Sequence, residues 1–482
     1  MAKYISDRGN QTLFVSGSLE SLLPDHSVAR VIWDSLSGFD FSCFDSVYSN
    51  DTEGRPAVDP RRLTAVWILS ALRGVSSSVA VARLCQTDIE FRWLSGDCGV
   101  QKSTLSLFRK GRFELLCDLS TQVLAALSRA GLLPGEDIAI DGSVIRAASS
   151  FRSSMRRRDL EGKLSRLESA IREKLSGDDD DDDDSGVDSL LKRKARLERA
   201  LGEISELGLK AGERYTVTEP EASIKRLKDG SFAPAHNTQL ASDLSSGVII
   251  SATVIDQKSD QGQLLPGVRR AQAELERVSE LTDMEGFVFK HVAADAAYHE
   301  THQLLSLESE SIQTFVPDGQ KCRRPTGVSD EYLAEAFVHD SETDTLQCPR
   351  GHRLQRRKVN AGKTAVVYQA RDRDCQSCSS KSACCPGSRG GRYVSRPLYG
   401  DKLKEISDRV HSPVGQAYRR ARSVVAEGCF GRLLETLQWR RCRTWGRLGA
   451  QAELVWHQLT HNLMLLVGQW QPLVPKKDLA GG

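Results

Sequence analysis

The chain has 482 residues, a formal net charge of +2 and 39% hydrophobic residues, ample for a sizeable core and for about two to four domains. No stretch approaches the roughly 20 apolar residues of a spanning helix, since the longest, Leu459 to Val467, carries His461 and Asn462. A membrane span is thereby excluded. The opening MAKYISDRGNQ lacks the apolar segment of a signal peptide, so a cytoplasmic protein is expected, with its twelve cysteines as reduced thiols, or as metal ligands where they cluster.

The overall charge is balanced, but acid is concentrated in one run and arginine in several, and this distribution points to nucleic acid. Residues 1–135 read as a helical region. A short apolar segment runs from Val28 to Leu36. After the start signal Asp59-Pro60, Leu63, Val66, Trp67, Leu69 and Leu72 form a helical apolar stripe. The turn Gly74 to Ser78 leads into a second helix, Val79 to Cys85. A third, Lys102 to Leu116 with Ser103 as its N-cap, carries Arg109, Lys110 and Arg112. Helix, turn, helix and a basic helix suit DNA reading, while a plain bundle with a solvated basic face is the alternative.

At 136–150 the apolar run Ile138-Ala139-Ile140 leads into Asp141, with turn chemistry at Gly142-Ser143. This reads as a buried central strand with a carboxylate at its exit, a position that needs a hydrogen bond or a cation. Residues 151–212 read as an antiparallel helical hairpin: Leu160, Leu164, Leu167, Ile171 and Leu175 mark one helix, and Leu190, Leu197, Leu201 and Ile204 the other. Its tip is the run Asp178 to Asp184, seven aspartates that repel one another and stay solvated.

From 213 to 320 the pattern is α/β. Pro234 to Asp243 and Gly247 to Asp256 read as paired strands, Gln261 to Leu281 as an amphipathic helix, and Ile312 to Asp318 as another strand. Between them Val292-Ala293-Ala294 leads into Asp295, repeating the Asp141 pattern. Asp260, near the start of the helix, is a weaker extra candidate. Residues 321–400 hold Cys322, Cys348, Cys375, Cys378, Cys384 and Cys385 among many arginines. Cys375-x2-Cys378, with Cys348 upstream and Cys384 or Cys385 downstream, has loose four-thiolate zinc spacing; unliganded thiols are the alternative.

Residues 401–470 return to helix, with eight arginines and two acids between Arg419 and Arg447, and 471–482 form a tail. Val424, Glu427, Gly431 and Leu434 share one helical face, which places Glu427 inward. Two strand-end aspartates and a helical glutamate can converge on divalent metal. The spacing predicts Asp141 and Asp295 at the ends of adjacent strands of one mixed sheet, with the Glu427 helix packed against it.

These residues together resemble the DDE transposases of bacterial insertion sequences, in the branch with an InsH-like N-terminal region and a cysteine-bearing insertion before the glutamate motif. RGVSSSVAVARLCQTDIEFRWLSG followed by STLSLFRK is similar to the N-terminal region. AIDGSVIRA and AADAAYH are similar to the two aspartate motifs, and PAHNTQLA to the strand after the insertion. CPRGH with CQSCSSKSACC is similar to the cysteine segment, and VVAEGCFGRL to the glutamate motif. The chain departs from the pattern at Leu434, where a lysine is usual and Arg432 could substitute, at Gly428, and at Ala296, where a basic residue is common.

The resemblance implies an RNase H-like α/β core with an α-helical N-terminal domain for DNA binding and dimerisation, a helical-hairpin insertion and a small Cys-rich insertion. It implies Asp141, Asp295 and Glu427 as the catalytic triad on Mg²⁺ or Mn²⁺, with structural Zn²⁺ on Cys348, Cys375, Cys378 and Cys384. Phosphate contacts would come from Arg109, Lys110, Arg112, Arg419, Arg420, Arg422 and Arg432. The implied activity is strand cleavage and strand transfer, by a homodimer on transposon ends and target DNA, in a nucleoid-associated protein. A metal-dependent nuclease without strand transfer, or an inactive remnant that only binds DNA, are the alternatives.

Overall fold

The computed structural model describes residues 17–47, 57–111, 113–176, 184–227, 229–282, 286–318, 327–359, 365–397 and 400–469. The N-terminal helices begin where local chemistry allows. Ser27 caps α1 (Val28–Leu36) by accepting from the Ala29 amide. Asp59 caps α2 (Pro60–Leu72), with Pro60 in the first turn, where its missing N–H costs nothing. Then come α3 (Ser78–Thr87), α4 (Lys102–Gly111) and α5 (Phe113–Arg129). Ser103 lies inside α4 rather than capping it, because the helix already begins at Lys102. Ile32, Leu36, Leu63, Val66, Ile68 and Leu105 close a core between these helices.

The sheet follows. Strand β1 (Asp137–Arg146) leads to two long helices, α6 (Arg157–Ser176) and α7 (Asp184–Glu206). These pack on each other through Leu160, Leu167, Ile171, Leu197, Ala200 and Ile204. Of the aspartate run, Asp184 opens α7, and 178–183 lie outside the described residues. After β2 (Ser223–Arg226) come β3 (Phe232–Asp243), β4 (Ile249–Ile255), helix α8 (Leu264–Thr282), β5 (His291–Ala294) and β6 (Gln313–Phe315). β1 pairs antiparallel with β3 along its whole length and parallel with β5 on its other side. β5 continues in parallel to β6, and both β4 and β2 pair with β3. The sheet is therefore mixed.

The expected turn at Gly142-Ser143 is absent. β1 runs through both residues because β3 supplies partners as far as Arg146, while the pairing with β5 stops at Ile140↔Ala294. Asp141 thus lies mid-strand on one side of β1 and at the end of pairing on the other.

A separate five-stranded antiparallel sheet is formed by β7 (Val338–Asp340), β8 (Thr345–Gln347), β9 (Arg353–Val359), β10 (Ala365–Ala370) and β11 (Tyr393–Pro397). It closes on its own small core of Phe337, Leu346, Leu354, Val366, Tyr368 and Val394. The chain then returns to the main sheet through α9 (Gly400–His411), α10 (Pro413–Gly431) and α11 (Gly446–Leu466).

Alternation along β1 divides the main sheet's two faces. Ile138 and Ile140 join the core with α8 and the N-terminal helices. Ala139 and Ile145 join the core under α10 and α11, with Val425, Cys429, Phe430 and Leu454. Each fully buried aliphatic or aromatic side chain contributes about 1.5–3 kcal/mol relative to exposure.

Helix α11 also does what a neighbouring strand would do for β4. Asn462 accepts from the Ile249 amide at 3.0 Å and donates to its carbonyl at 2.8 Å. Gln458 donates to the Ile249 and Ile250 carbonyls, and His461 to the Gly247 carbonyl. Gln451 takes the Val254 amide and the Ala252 carbonyl. Buried backbone groups must be paired, and here side chains pair them.

Burial on α11 pushes His457 down to about 4 and His461 down to about 3, so both are neutral in the fold. In the unfolded chain they titrate near 6.5. Their contribution to stability is present above pH ~6.5 and is lost as pH falls through that value toward 4 and 3, at up to about 1.4 kcal/mol per pH unit for each histidine. Urea unfolding at pH 7, 6 and 5 should show this decline, and His461→Asn should make it shallower. An unchanged slope in that variant would remove His461 from the account.

Candidate active site

The parallel register of β1 and β5 sets Ile140 beside Ala294, so the next residue of each strand is an aspartate. Asp141 points to the α10 side of the sheet, as Ala139 does two residues earlier. Asp295 ends β5 and caps a short helical turn, Ala296–Tyr298, by accepting from the Ala297 amide at 2.8 Å. One guanidinium reaches both. Nη2 of Arg422, on α10, lies 2.6 Å from Asp141 Oδ1 and 3.7 Å from Asp295 Oδ2. Burial pushes the Asp141 carboxyl up to about 6, against the Arg422 charge and the Gly142 amide, with Asp295 adding to the rise. A carboxylate in that state favours a cation.

Gly142 has its own reason. Its position faces the other side of the sheet, where Asp260 Oδ1 accepts from Gln239 Nε2 at 2.7 Å and Asn237 Nδ2 at 3.1 Å, and Tyr298 donates to Gln239 Oε1. A Cβ on residue 142 would fall on Gln239 Nε2, 2.6 Å from Asp260 Oδ1 and 2.9 Å from Tyr298 Oη. Asp260 therefore backs the Asp141 segment from behind the sheet rather than standing beside Asp141. Sequence reading missed Asn237, Gln239 and Tyr298. For the first two, the signal in the sequence was the unbroken polar run His236-Asn237-Thr238-Gln239 inside a buried strand.

The placement of Glu427 differs from the expectation. The face of α10 toward the sheet carries Tyr418, Ala421, Arg422, Val425 and Cys429, at three- and four-residue spacing. Glu427 lies on the opposite side of the helix from these rows and is exposed, as is Val424, and it accepts from the Ser423 hydroxyl at 3.0 Å. The stripe of 424, 427, 431 and 434 meets that core only at Leu434, which lies beyond the end of α10. α10 carries apolar residues on more than one stripe, and the sheet selects the one with Val425 and Cys429. Tyr418 anchors the helix by donating to Asp137 Oδ2 at 2.9 Å and stacking on Phe315 at 4.1 Å between ring centroids.

The basic candidates separate. Arg419 and Arg420 are exposed and line an open cavity of about 550 Å³ with Asp295, Ala296, His411 and Arg422. Lys110 is exposed on α4. Arg109 is buried: it donates to the Ser76 carbonyl at 2.6 Å and lies over the Trp67 ring, so it is withdrawn from the surface where a phosphate would reach it. Arg432 is half-buried at the end of α10, and burial lowers its pKa. Arg112 lies outside the described residues.

In the smaller sheet, Cys348, Cys375, Cys378, Cys384 and Cys385 line one small pocket. The His352 amide donates to Cys348 Sγ at 3.3 Å and the Arg392 amide to Cys375 Sγ at 3.4 Å. Burial raises the Cys384 thiol to about 11, with Cys385 adding to the rise. Cys322 lies outside the described residues. Among the described residues, no three His, Cys, Asp or Glu side chains stand close enough together to hold a metal ion. The structure brings Asp141 to Asp295, and the five cysteines to one pocket, without drawing either set into a coordination shell.

Residues 347–467 match the family model described as a Transposase DDE domain, and residues 16–111 match the one described as a Transposase domain (DUF772). No curated protein matches the chain. Glu427 falls inside the first matched stretch, and Lys110 inside the second.

The crowding behind Gly142 gives a direct test. Gly142→Ala should destabilise the protein by about 1–3 kcal/mol, because overpacking here meets a hydrogen-bonded network rather than a loose side chain. Urea denaturation measures it, and a variant as stable as the parent would show that Gln239, Asp260 and Tyr298 yield freely.

Proposed function

This chain is a DDE transposase of the insertion-sequence kind, and from that premise we propose that it cuts DNA at the ends of its element and joins them to target DNA, on an RNase H-like core. The observation that carries this is the pair Asp141 and Asp295, set side by side by strand register and already sharing one cationic group. Hydrolysis joins a water oxygen to the phosphorus at the element's end and releases a 3′-hydroxyl. Transfer joins that 3′-oxygen to a target phosphorus and displaces a target oxygen.

Two carboxylates sharing a guanidinium are a donor set that fits a hard divalent cation, and the Arg422 group stands where such a charge would be held. Asp141 and Asp295 would hold Mg²⁺ or Mn²⁺, with Glu427 as the third carboxylate. From its exposed place on α10, Glu427 would have to turn toward the pair. When bound, the metal supplies charge neutralisation at the phosphate and an acidified water.

The remaining steps belong to the chain's own side chains. Arg419 and Arg420 hold phosphate at the rim of the cavity beside Asp295, and Lys110 is placed to extend the contact from the N-terminal helices. Asp260, Gln239 and Tyr298 hold Asp141 in position from behind. No helix among the described residues is long and apolar enough to cross a membrane. We place the protein on DNA in the nucleoid as a homodimer, one copy for each end. Cys348, Cys375, Cys378 and Cys384 or Cys385 would draw onto a structural Zn²⁺, supported by their common pocket and by the amide donors to two of the sulfurs.

Asp141→Asn, Asp295→Asn and Glu427→Gln should each reduce strand cleavage by at least about 100-fold while gel-shift affinity for the same duplex stays within a few-fold, since an acid holds no phosphate itself. Near-normal cleavage in any one of them would remove that residue from the triad. A joined donor–target product separates transfer from simple hydrolysis. Arg419→Ala with Arg420→Ala should weaken binding and lower the salt slope by about 0.9 for each phosphate no longer neutralised. For the thiols, metal analysis of protein purified without chelator should find one zinc per chain, and zinc-free folded protein would end that assignment.

A further inference from the structure

We propose that Arg422 is a built-in counter-ion that competes with divalent metal for Asp141 and Asp295, and that DNA phosphate releases it. The inference rests on the metal site proposed above and adds a step before metal entry. Nη2 of Arg422 occupies the space between the two carboxylates, at 2.6 Å from Asp141 Oδ1 and 3.7 Å from Asp295 Oδ2. A metal ion would bind those same oxygens at about 2.0–2.6 Å. Guanidinium and metal therefore need the same lone pairs, and two cations at that spacing repel each other in a site where the Arg422 and Asp141 side chains are only 17% and 18% exposed.

The charge serves the metal-free fold. Without it, Asp141 would be a largely buried carboxylate beside a second one, the arrangement that costs most. The fit of the arginine is nevertheless incomplete, because its Nε is buried without a hydrogen-bond partner. A side chain with one donor unsatisfied has an incentive to leave when a better acceptor arrives. The way out is open. Arg422 lines the cavity that Arg419, Arg420, His411 and Gln416 also line, and a phosphate held there by Arg419 and Arg420 offers the guanidinium oxygens in a bidentate geometry. In leaving Asp141 for phosphate, Arg422 frees the metal oxygens at the moment DNA occupies the site.

Calorimetric titration of Mn²⁺ into the full-length, DNA-free protein tests this, with Arg422→Gln, Arg422→Lys and Asp141→Asn alongside the parent. Coupling of this kind is worth about 5- to 150-fold. Arg422→Gln should bind Mn²⁺ at least about 10-fold more tightly than the parent, while Arg422→Lys, which keeps a charge, should stay between the two. Adding a duplex of arbitrary sequence should tighten Mn²⁺ binding in the parent but not in Arg422→Gln. Unchanged or weaker binding in Arg422→Gln, with binding abolished in Asp141→Asn, would overturn the counter-ion role while leaving the metal site in place. Binding that Asp141→Asn does not alter would overturn the metal site itself. If Arg422→Gln does not fold, an Arg422→Lys variant that shows the full duplex effect supports displacement, and one that binds Mn²⁺ as the parent does with no duplex effect overturns it.

Discussion

The parallel pairing of β1 with β5 is the constraint on which the rest depends. It sets Ile140 against Ala294 and so makes neighbours of two carboxylates that are 154 residues apart in sequence. A shift of one residue would turn one of them to the opposite face of the sheet. Both faces are covered, so register is fixed by burial: Ile138 and Ile140 can only lie toward α8, and Ala139 only toward α10. Two acids brought together in this way require positive charge, and the neighbouring helix supplies it from Arg422.

Much of this was legible in the residues. An apolar run ending in aspartate, twice, is enough to place two acids at strand level, because strand burial shows in composition. Helix starts at Asp59-Pro60 were legible for a similar reason: the capping side chain and the amide it satisfies are two residues apart. What local pattern does not carry is the identity of distant partners. The continuation of β1 through Gly142 depends on β3, almost a hundred residues later. The turn chemistry of Gly-Ser was real as a preference, but it was overruled by a ladder of hydrogen bonds that the local segment does not contain.

The helices show the same limit in another form. α10 presents apolar residues on several sides, so periodicity alone allowed the stripe with Glu427 as readily as the one with Val425 and Cys429. The decision was made by Tyr418 on Asp137 and Arg422 on Asp141, contacts across almost 300 positions. Arg109 was misread for a related reason. In α4 it looks like part of a basic face, but Trp67 and the Ser76 carbonyl, both from neighbouring segments, take it into the interior. The spacing of the cysteines suggested a zinc site; the structure gathers five of them at one pocket, but spacing does not set how closely thiols approach.

The way α11 meets β4 has a consequence for assembly. A strand at the border of a sheet normally offers its unpaired amides and carbonyls to any chain that comes alongside. Along β4 and the turn before it, the Ile249 and Val254 amides and the Gly247, Ile249, Ile250 and Ala252 carbonyls are already held by Gln451, Gln458, His461 and Asn462 of the same molecule. A second copy of the chain therefore meets groups already taken along this border and cannot extend the sheet there as it could along a free strand edge. Association at this border is left to side chains, contacts that form and part without unzipping the fold.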